Sequence, residues 1–300
     1  MASRSLSEKQ NWLLRFMAVQ KASDAQVAAA LQVALDSLDG HLRRIEAKPG
    51  VGAATRRAQL LGNRGAITMV LGALYKRLGL VVREGQMNAA QAATEAEIYS
   101  SAKIYDVIID DAEKRRLLQR SLEQSARRNI QVTMTRMNVS EQPLSKRLYR
   151  SEAMAKGQIS RTINNHLARG SSAADLAKDV RGFFNPKVPG GVSYAASRLA
   201  RTEINNAFHA QAMADVADRP WVNQVRWHLS GSHKVPDECN TYANTGLFPA
   251  DNVPKKPHPN CFCYFTPELP DVETVINDYL AGKYNSWLAE STDDGLRRSA

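Results

Sequence analysis

Cysteine is nearly absent from this chain: three residues in 300, an odd number, all between positions 239 and 263. No secretory leader is legible, because Met1 to Lys9 is polar and has no apolar h-region. These two absences argue against a disulfide framework and for a metal-binding or free-thiol role. No unbroken apolar run approaches the roughly 18 residues that cross a bilayer, so a soluble protein made in a cytoplasm is expected, with no membrane partner. Glycine-rich phosphate loops, a Ser/His/Asp set and a purposeful carboxylate dyad are also missing. No catalytic residue is therefore assigned, and the chain is read as a non-enzyme. There is no internal repeat and no low-complexity tract.

Three hundred residues make one large or two medium domains. Hydrophobic residues are 43% and charged residues 23%, so the chain can bury a core. The net charge of +10 is uneven: residues 1–190 hold 30 Lys+Arg against 17 Asp+Glu, and residues 191–300 hold 10 against 13. The basic excess is densest from Lys114 to Arg161, where twelve basic residues face Glu123, Glu141 and Glu152. Arg115, Arg116, Arg120, Arg127, Arg128, Arg136, Arg147 and Arg150 lie there. Such a surface holds polyanions through phosphate neutralisation without reading sequence, so these arginines are candidate DNA contacts. A solvated helical face is the competing explanation.

The fold class expected is mainly α: a basic helical region over 1–185, then a small, loop-rich α+β domain over 192–270, and a short helix with a polar tail over 271–300. Leu31, Leu35, Leu38, Leu42 and Ile45 form an apolar helical stripe that stops at Pro49 and Gly50. Ile67, Leu71, Leu74 and Leu78 form another, read as ending at Gly79. Proline and glycine are absent from Asn88 to Met137, which predicts one long helix or a pair with a tight bend. Leu144 to Ala168 reads as a further helix. Gly170 is its stop, and Ser172 with Asp175 is a capping box for the next. The stretch Asn185 to Gly191, with two prolines and two glycines, is read as a domain boundary. Tyr194 to Asp218 is then helical, Val222, Val225 and Trp227 favour a strand, and Val272 to Ala281 is a short helix. The last ten residues are polar enough to be disordered.

The chemistry is concentrated in one segment. His258-Pro-Asn-Cys261-Phe-Cys263 places three soft donors in six residues, and Cys239 precedes them by a loop long enough to close on the same ion. Thiolate and imidazole are the donors that tetrahedral zinc prefers, so Cys239, His258, Cys261 and Cys263 are the favoured set for a structural zinc site. His233 is the main substitute, and Asp237 a weaker one because carboxylate is harder than thiolate. The competing reading makes Cys261, Phe262 and Cys263 buried strand residues with no ligand.

These residues also form an ordered series. Ala200-Arg-Thr-Glu203 on a helix is followed by Trp227, then Ser230-Gly-Ser-His233, Asp237 and Cys239. Gly246, Phe248 and Pro249 come next, and Pro257-His-Pro-Asn-Cys-Phe-Cys263 closes it. The series resembles the C-terminal domain of the phage Mu F-like head-morphogenesis proteins, over roughly Tyr194 to Pro267, about a quarter of the chain. The resemblance implies a minor capsid protein of a tailed phage, present in few copies and acting in head assembly, packaging or genome ejection. It makes His233, Asp237, Cys239, His258, Cys261 and Cys263 signature positions. Some members carry a second cysteine shortly before the one matching Cys239, where this chain has Pro236, which leaves two alternatives: His233 takes the fourth corner, or the site is not a full zinc site.

The implied partners are the portal protein, with scaffold, major capsid protein or non-specific DNA as further candidates. The implied place is the head interior near the portal, and the host cytoplasm during assembly. The alternatives are a metal-dependent nuclease with His228 or His233 as general base, or a plain non-specific DNA-binding protein. A thiolate-rich donor set argues against the nuclease, because catalytic zinc keeps an open position.

Overall fold

The computed structural model describes residues 7–46, 53–140 and 143–296. The chain is mainly helical, with a small three-stranded sheet in its C-terminal part. In order, the elements are α1 (Glu8–Glu46), α2 (Ala53–Ile108), α3 (Ala112–Asn138), α4 (Leu144–Arg169), α5 (Ala173–Phe183) and α6 (Val192–Ala217). They continue with β1 (Gln224–His228), α7 (Glu238–Thr245), β2 (Leu247–Pro249), β3 (Tyr264–Glu268), α8 (Val272–Leu280) and α9 (Asn285–Leu296).

Several local readings meet the structure directly. Gly170 caps α4 in the left-handed conformation at φ 65°, and Ser172 and Asp175 form a reciprocal capping box at the start of α5. The proline- and glycine-free stretch is a pair of helices. Asp111 separates them, its Oδ1 accepting from the Glu113 N–H at 2.8 Å and the Lys114 N–H at 3.2 Å to start α3.

Gly79 does not end a helix, because α2 runs through it. A Cβ at this position would lie 3.2 Å from Leu148 Cδ1 of α4, so glycine here permits close helix packing. Pro49 and Gly50 lie outside the described residues, as does the Ile45 side chain. The last ten residues differ from expectation too, since α9 reaches Leu296 and only 297–300 fall outside the description. Trp287 anchors α9, its ring centroid 4.9 Å from that of Trp221.

Two compact units are interleaved along the chain: Met1–Gln20 with Gln86–Met137 and Ile204–Ala300, and Lys21–Gly85 with Asn138–Glu203. They do not coincide with the consecutive segments 1–185, 192–270 and 271–300. The physical reason is helix length: α1, α2 and α6 are each long enough to supply residues to both units. The expected boundary at 185–191 is a turn between α5 and α6 within the second unit, where the Val188 N–H donates to Asn185 O and the Gly191 N–H to Val188 O.

The second unit buries Leu31, Leu38 and Leu42 of α1 with Ile67, Leu71, Leu74 and Leu78 of α2, and Leu148, Ile159 and Ile163 of α4. Both predicted stripes are therefore core faces. Within α2, the stretch Leu61–Ile108 contains an 18-residue window apolar enough, by length and composition, to cross a bilayer. Counting only unbroken runs missed it. Half of that window is buried inside the fold, as expected of a core helix.

The first unit holds the sheet, ordered β2-β1-β3 with both pairings antiparallel. Val225 and Trp227 of β1 face the core and Gln224 and Arg226 face out, the alternation of a half-buried strand. Trp227 pairs with Phe265 and His228 with Tyr264. Phe208 of α6 and Trp12 and Phe16 of α1 complete an aromatic cluster around Phe265.

Candidate metal centre

The loops at one end of this sheet carry the thiols. Asp237 is the N-cap of α7, its Oδ1 accepting from the Cys239 N–H at 2.7 Å, which fixes Cys239 in the first turn. The other side comes from the segment between β2 and β3. Asn260 turns the chain there at φ 60°, a conformation that asparagine tolerates better than most residues. Cys261 and Cys263 then follow just before β3, with both thiols in one cluster and Phe262 between them packed toward Phe16 at a centroid distance of 6.4 Å.

All three thiols are buried, and their sulfurs lie within 4.8 Å of one another. Cys239 Sγ is 3.5 Å from Cys261 Sγ. The two histidines flank this group at different corners: His258 Nε2 is 3.8 Å from Cys239 Sγ, and His233 Nδ1 is 3.9 Å from Cys263 Sγ. A tetrahedral ion with metal–sulfur bonds of about 2.3 Å and metal–nitrogen bonds of about 2.0 Å needs donor–donor edges of about 3.5–3.8 Å. Three thiols and a histidine are thus arranged so that they could hold a metal ion.

Each imidazole has its other nitrogen occupied. His233 Nε2 lies 2.7 Å from Asn240 Oδ1, and Asn240 is itself held by the Asp237 N–H at 2.9 Å. His258 Nδ1 lies 3.0 Å from Pro259 O. A proton on each of these nitrogens leaves a bare lone pair toward the sulfurs, the way metal-binding histidines are held. Asp237 Oδ2 is 3.0 Å from His258 Nε2. With Nδ1 carrying the ring proton both of these atoms are acceptors and only a cation can join them, and with Cys239 and His258 the carboxylate forms a second donor group that overlaps the thiol cluster.

Without metal the protons are unevenly shared. A hydrogen bond from the Cys261 thiol holds Cys263 down to about 5, and the donating Cys261 is correspondingly pushed above the ordinary thiol range. Burial pushes Cys239 up to about 12. One sulfur is thus a preformed thiolate and two are thiols. His233 is raised, first by its bond to Asn240.

Asn240 and Lys256 were not picked out from the sequence. The Asp237-x-x-Asn240 capping pattern is a legible signal for the first. The second lies between Pro254 and Pro257, and nothing in its spacing marks it. Lys256 is half-buried as a residue, with its ammonium turned inward to donate to Cys261 O at 3.0 Å and Cys263 O at 2.9 Å. Burial brings its pKa down to about 8.

The remaining candidates separate. His228 bonds Thr266 Oγ1 at 2.9 Å within the sheet, and burial lowers it to about 4. Arg147 of α4 pairs with Glu203 at 2.7 Å, so it serves a buried carboxylate rather than an open cationic surface. Arg115 donates to Ile109 O at 2.8 Å and is half-buried. Both are half-buried, unlike the other arginines of the expected polyanion face. Arg116, Arg120, Arg127, Arg128 and Arg136 are exposed on α3, in the first unit, and Arg150 is exposed on α4, in the second. In the Ala200-Arg-Thr-Glu203 motif, Arg201 makes a two-pronged pair with Asp24 at 2.7 and 2.9 Å.

Comparisons of the chain with protein-family models, with curated proteins and with solved structures return no match.

Proposed function

We propose that this chain is a minor capsid protein of a tailed phage. In this reading it associates with the portal protein during head assembly, packaging or genome ejection, and a structural zinc ion holds its C-terminal loops. The observation that carries the zinc is the cluster of Cys239, Cys261 and Cys263, with His258 Nε2 3.8 Å from Cys239 Sγ and His233 Nδ1 3.9 Å from Cys263 Sγ. Three thiolates and one imidazole form a closed, soft donor set, which favours zinc and a structural role over a catalytic one. His258 or His233 supplies the fourth corner.

The phage assignment rests on the ordered series from Ala200 to Cys263. Its spaced cysteines and histidines belong to one site, as positions of a shared module should. The exposed arginines of α3 would hold packaged DNA without reading its sequence, alongside contacts to portal, scaffold or major capsid protein. The place of action is the head interior near the portal, and the host cytoplasm before that.

Co-expression of the full chain with the portal protein of its own phage, followed by size exclusion and mass spectrometry, tests this reading. A co-eluting complex is expected. Separate elution at both low and moderate salt would refute the portal association. Plasmid nicking by metal-loaded protein, lost in His233→Ala, would revive the nuclease reading instead.

A further inference from the structure

A groove of about 610 Å³ opens between α2 and α3, and every residue that lines it belongs to the first unit. After the turn at 109–111, α3 doubles back along α2, so one face of each helix forms a wall. Positions 91, 95, 98 and 102 supply the α2 wall, and positions 119, 123, 126 and 130 the α3 wall. Both runs have the four-three-four spacing with which bundled helices meet a third helix. Each run is three turns long, about 16 Å of helix. Ala126 and Ile130 are buried at the bottom, while Ile98, Tyr99 and Ala102 are half-buried. The two alanines are short enough to leave the space between the walls.

The charges along this groove are not balanced. Glu95 is already paired with Arg15, and it accepts from Gln91 at 3.2 Å. Arg127 lines the α3 wall, and Arg116 and Arg120 precede it by eleven and seven residues, spacings that return a helix to the same edge. All three are exposed, and none makes an ion pair among the described residues. Against them stands the exposed Glu123. The unmatched charge beside the apolar walls is therefore positive.

We propose that this groove docks an acidic amphipathic helix of a partner protein, about three turns long, laid between α2 and α3. Its apolar face covers Ile98, Tyr99 and Ile130, and its carboxylates meet Arg116, Arg120 and Arg127. Duplex DNA would engage the same arginines but leave the apolar walls in water, so the groove favours protein over nucleic acid. Neither the zinc nor the phage assignment is needed for this. The α3 arginines gain a protein partner where the phage reading gives them DNA.

The test uses the full chain and fluorescence anisotropy with three labelled probes. The first is a helical peptide of about four turns, with leucine at the a and d positions and glutamate with alanine elsewhere. The second carries lysine in place of glutamate, and the third is a short DNA duplex. The acidic peptide is expected to bind, to slow amide exchange in both 91–102 and 119–130, and to outbind the lysine peptide. Ala102→Gln fills the groove and keeps every charge, and the pair Arg120→Glu and Arg127→Glu reverses the rim; each is expected to weaken the acidic peptide about tenfold or more. Melting checks that the variants fold, and the exposed arginine pair carries the test if Ala102→Gln does not. No binding of the acidic peptide, equal binding of both peptides, or full affinity in a folded Ala102→Gln would each overturn the docking groove. A duplex that binds and is lost in the arginine pair, where the acidic peptide does not bind, would assign this edge of α3 to nucleic acid instead.

Discussion

Zinc binding should strengthen about 100-fold per pH unit between roughly pH 7 and 8. The figure comes from counting protons. In the metal-free cluster Cys263 is already ionised at neutral pH, because the Cys261 thiol holds it at about 5. Cys239, at about 12, and Cys261, raised above the ordinary range, each keep a proton. A metal ion accepts only thiolates, so binding expels two protons, each worth a factor of about ten per pH unit. The sign is fixed: protons compete with zinc, and affinity rises with pH. Below this window histidine protonation adds a further proton, and toward its upper end Lys256, at about 8, releases its own. Chelator competition at constant ionic strength, or proton release measured calorimetrically in two buffers, gives the slope. Three protons would describe ordinary, unassembled thiols and would refute the preformed thiolate. One or none would mean that the buried thiols are not ligands.

Other outcomes are checked as readily. Replacing Cys261 and Cys263 with serine should abolish the effect of zinc on melting of the first unit and leave the helical signal of the second, and circular dichroism with and without zinc would expose an unchanged profile. Arg147→Ala should cost about 1.5–3 kcal/mol in urea unfolding at pH 8 by removing the ion pair of a buried carboxylate, and less at pH 6, where burial has already raised Glu203 to about 7 and it takes a proton. Glu203 binds its proton more tightly folded than unfolded. The stability it brings is therefore full below about pH 4.5 and lost as pH rises through 7, and Glu203→Gln should flatten that dependence. His209 behaves oppositely, since burial lowers it to about 3 and the folded state excludes the proton. Stability should fall as pH drops below 6.5, by roughly 3 kcal/mol at pH 4, and His209→Phe should remove most of that loss in acid titrations. If α3 binds DNA, alanine at Arg116, Arg120 and Arg127 should lower the salt slope by about one per residue, while Arg147→Ala leaves it unchanged.

Helices were legible wherever a stripe had a clear stop. Gly170 and the Ser172-Asp175 box mark ends that the structure keeps, because capping is local chemistry. Gly79 misled for the opposite reason, its role being set by Leu148, about seventy residues away and invisible to periodicity. The interleaved units were hidden likewise, because no local signal says that one long helix serves two cores. At the site, donor type and clustering pointed to Cys239, Cys261 and Cys263. Only the fold shows that both histidines approach the thiols and that each is braced by a separate acceptor. Composition does not show which charges already have partners, as Arg147 has in Glu203 and Arg115 in Ile109 O. A charge count cannot see a buried carboxylate.

Metal content of the full chain, purified without chelators and paired with the absorption spectrum of its cobalt(II) form, tests the central claim most directly. The account predicts one zinc ion per chain, and in the cobalt form intense thiolate charge-transfer bands with the visible bands of a tetrahedral centre. A folded chain that carries no metal, takes up no cobalt and leaves three freely titrating thiols would contradict it.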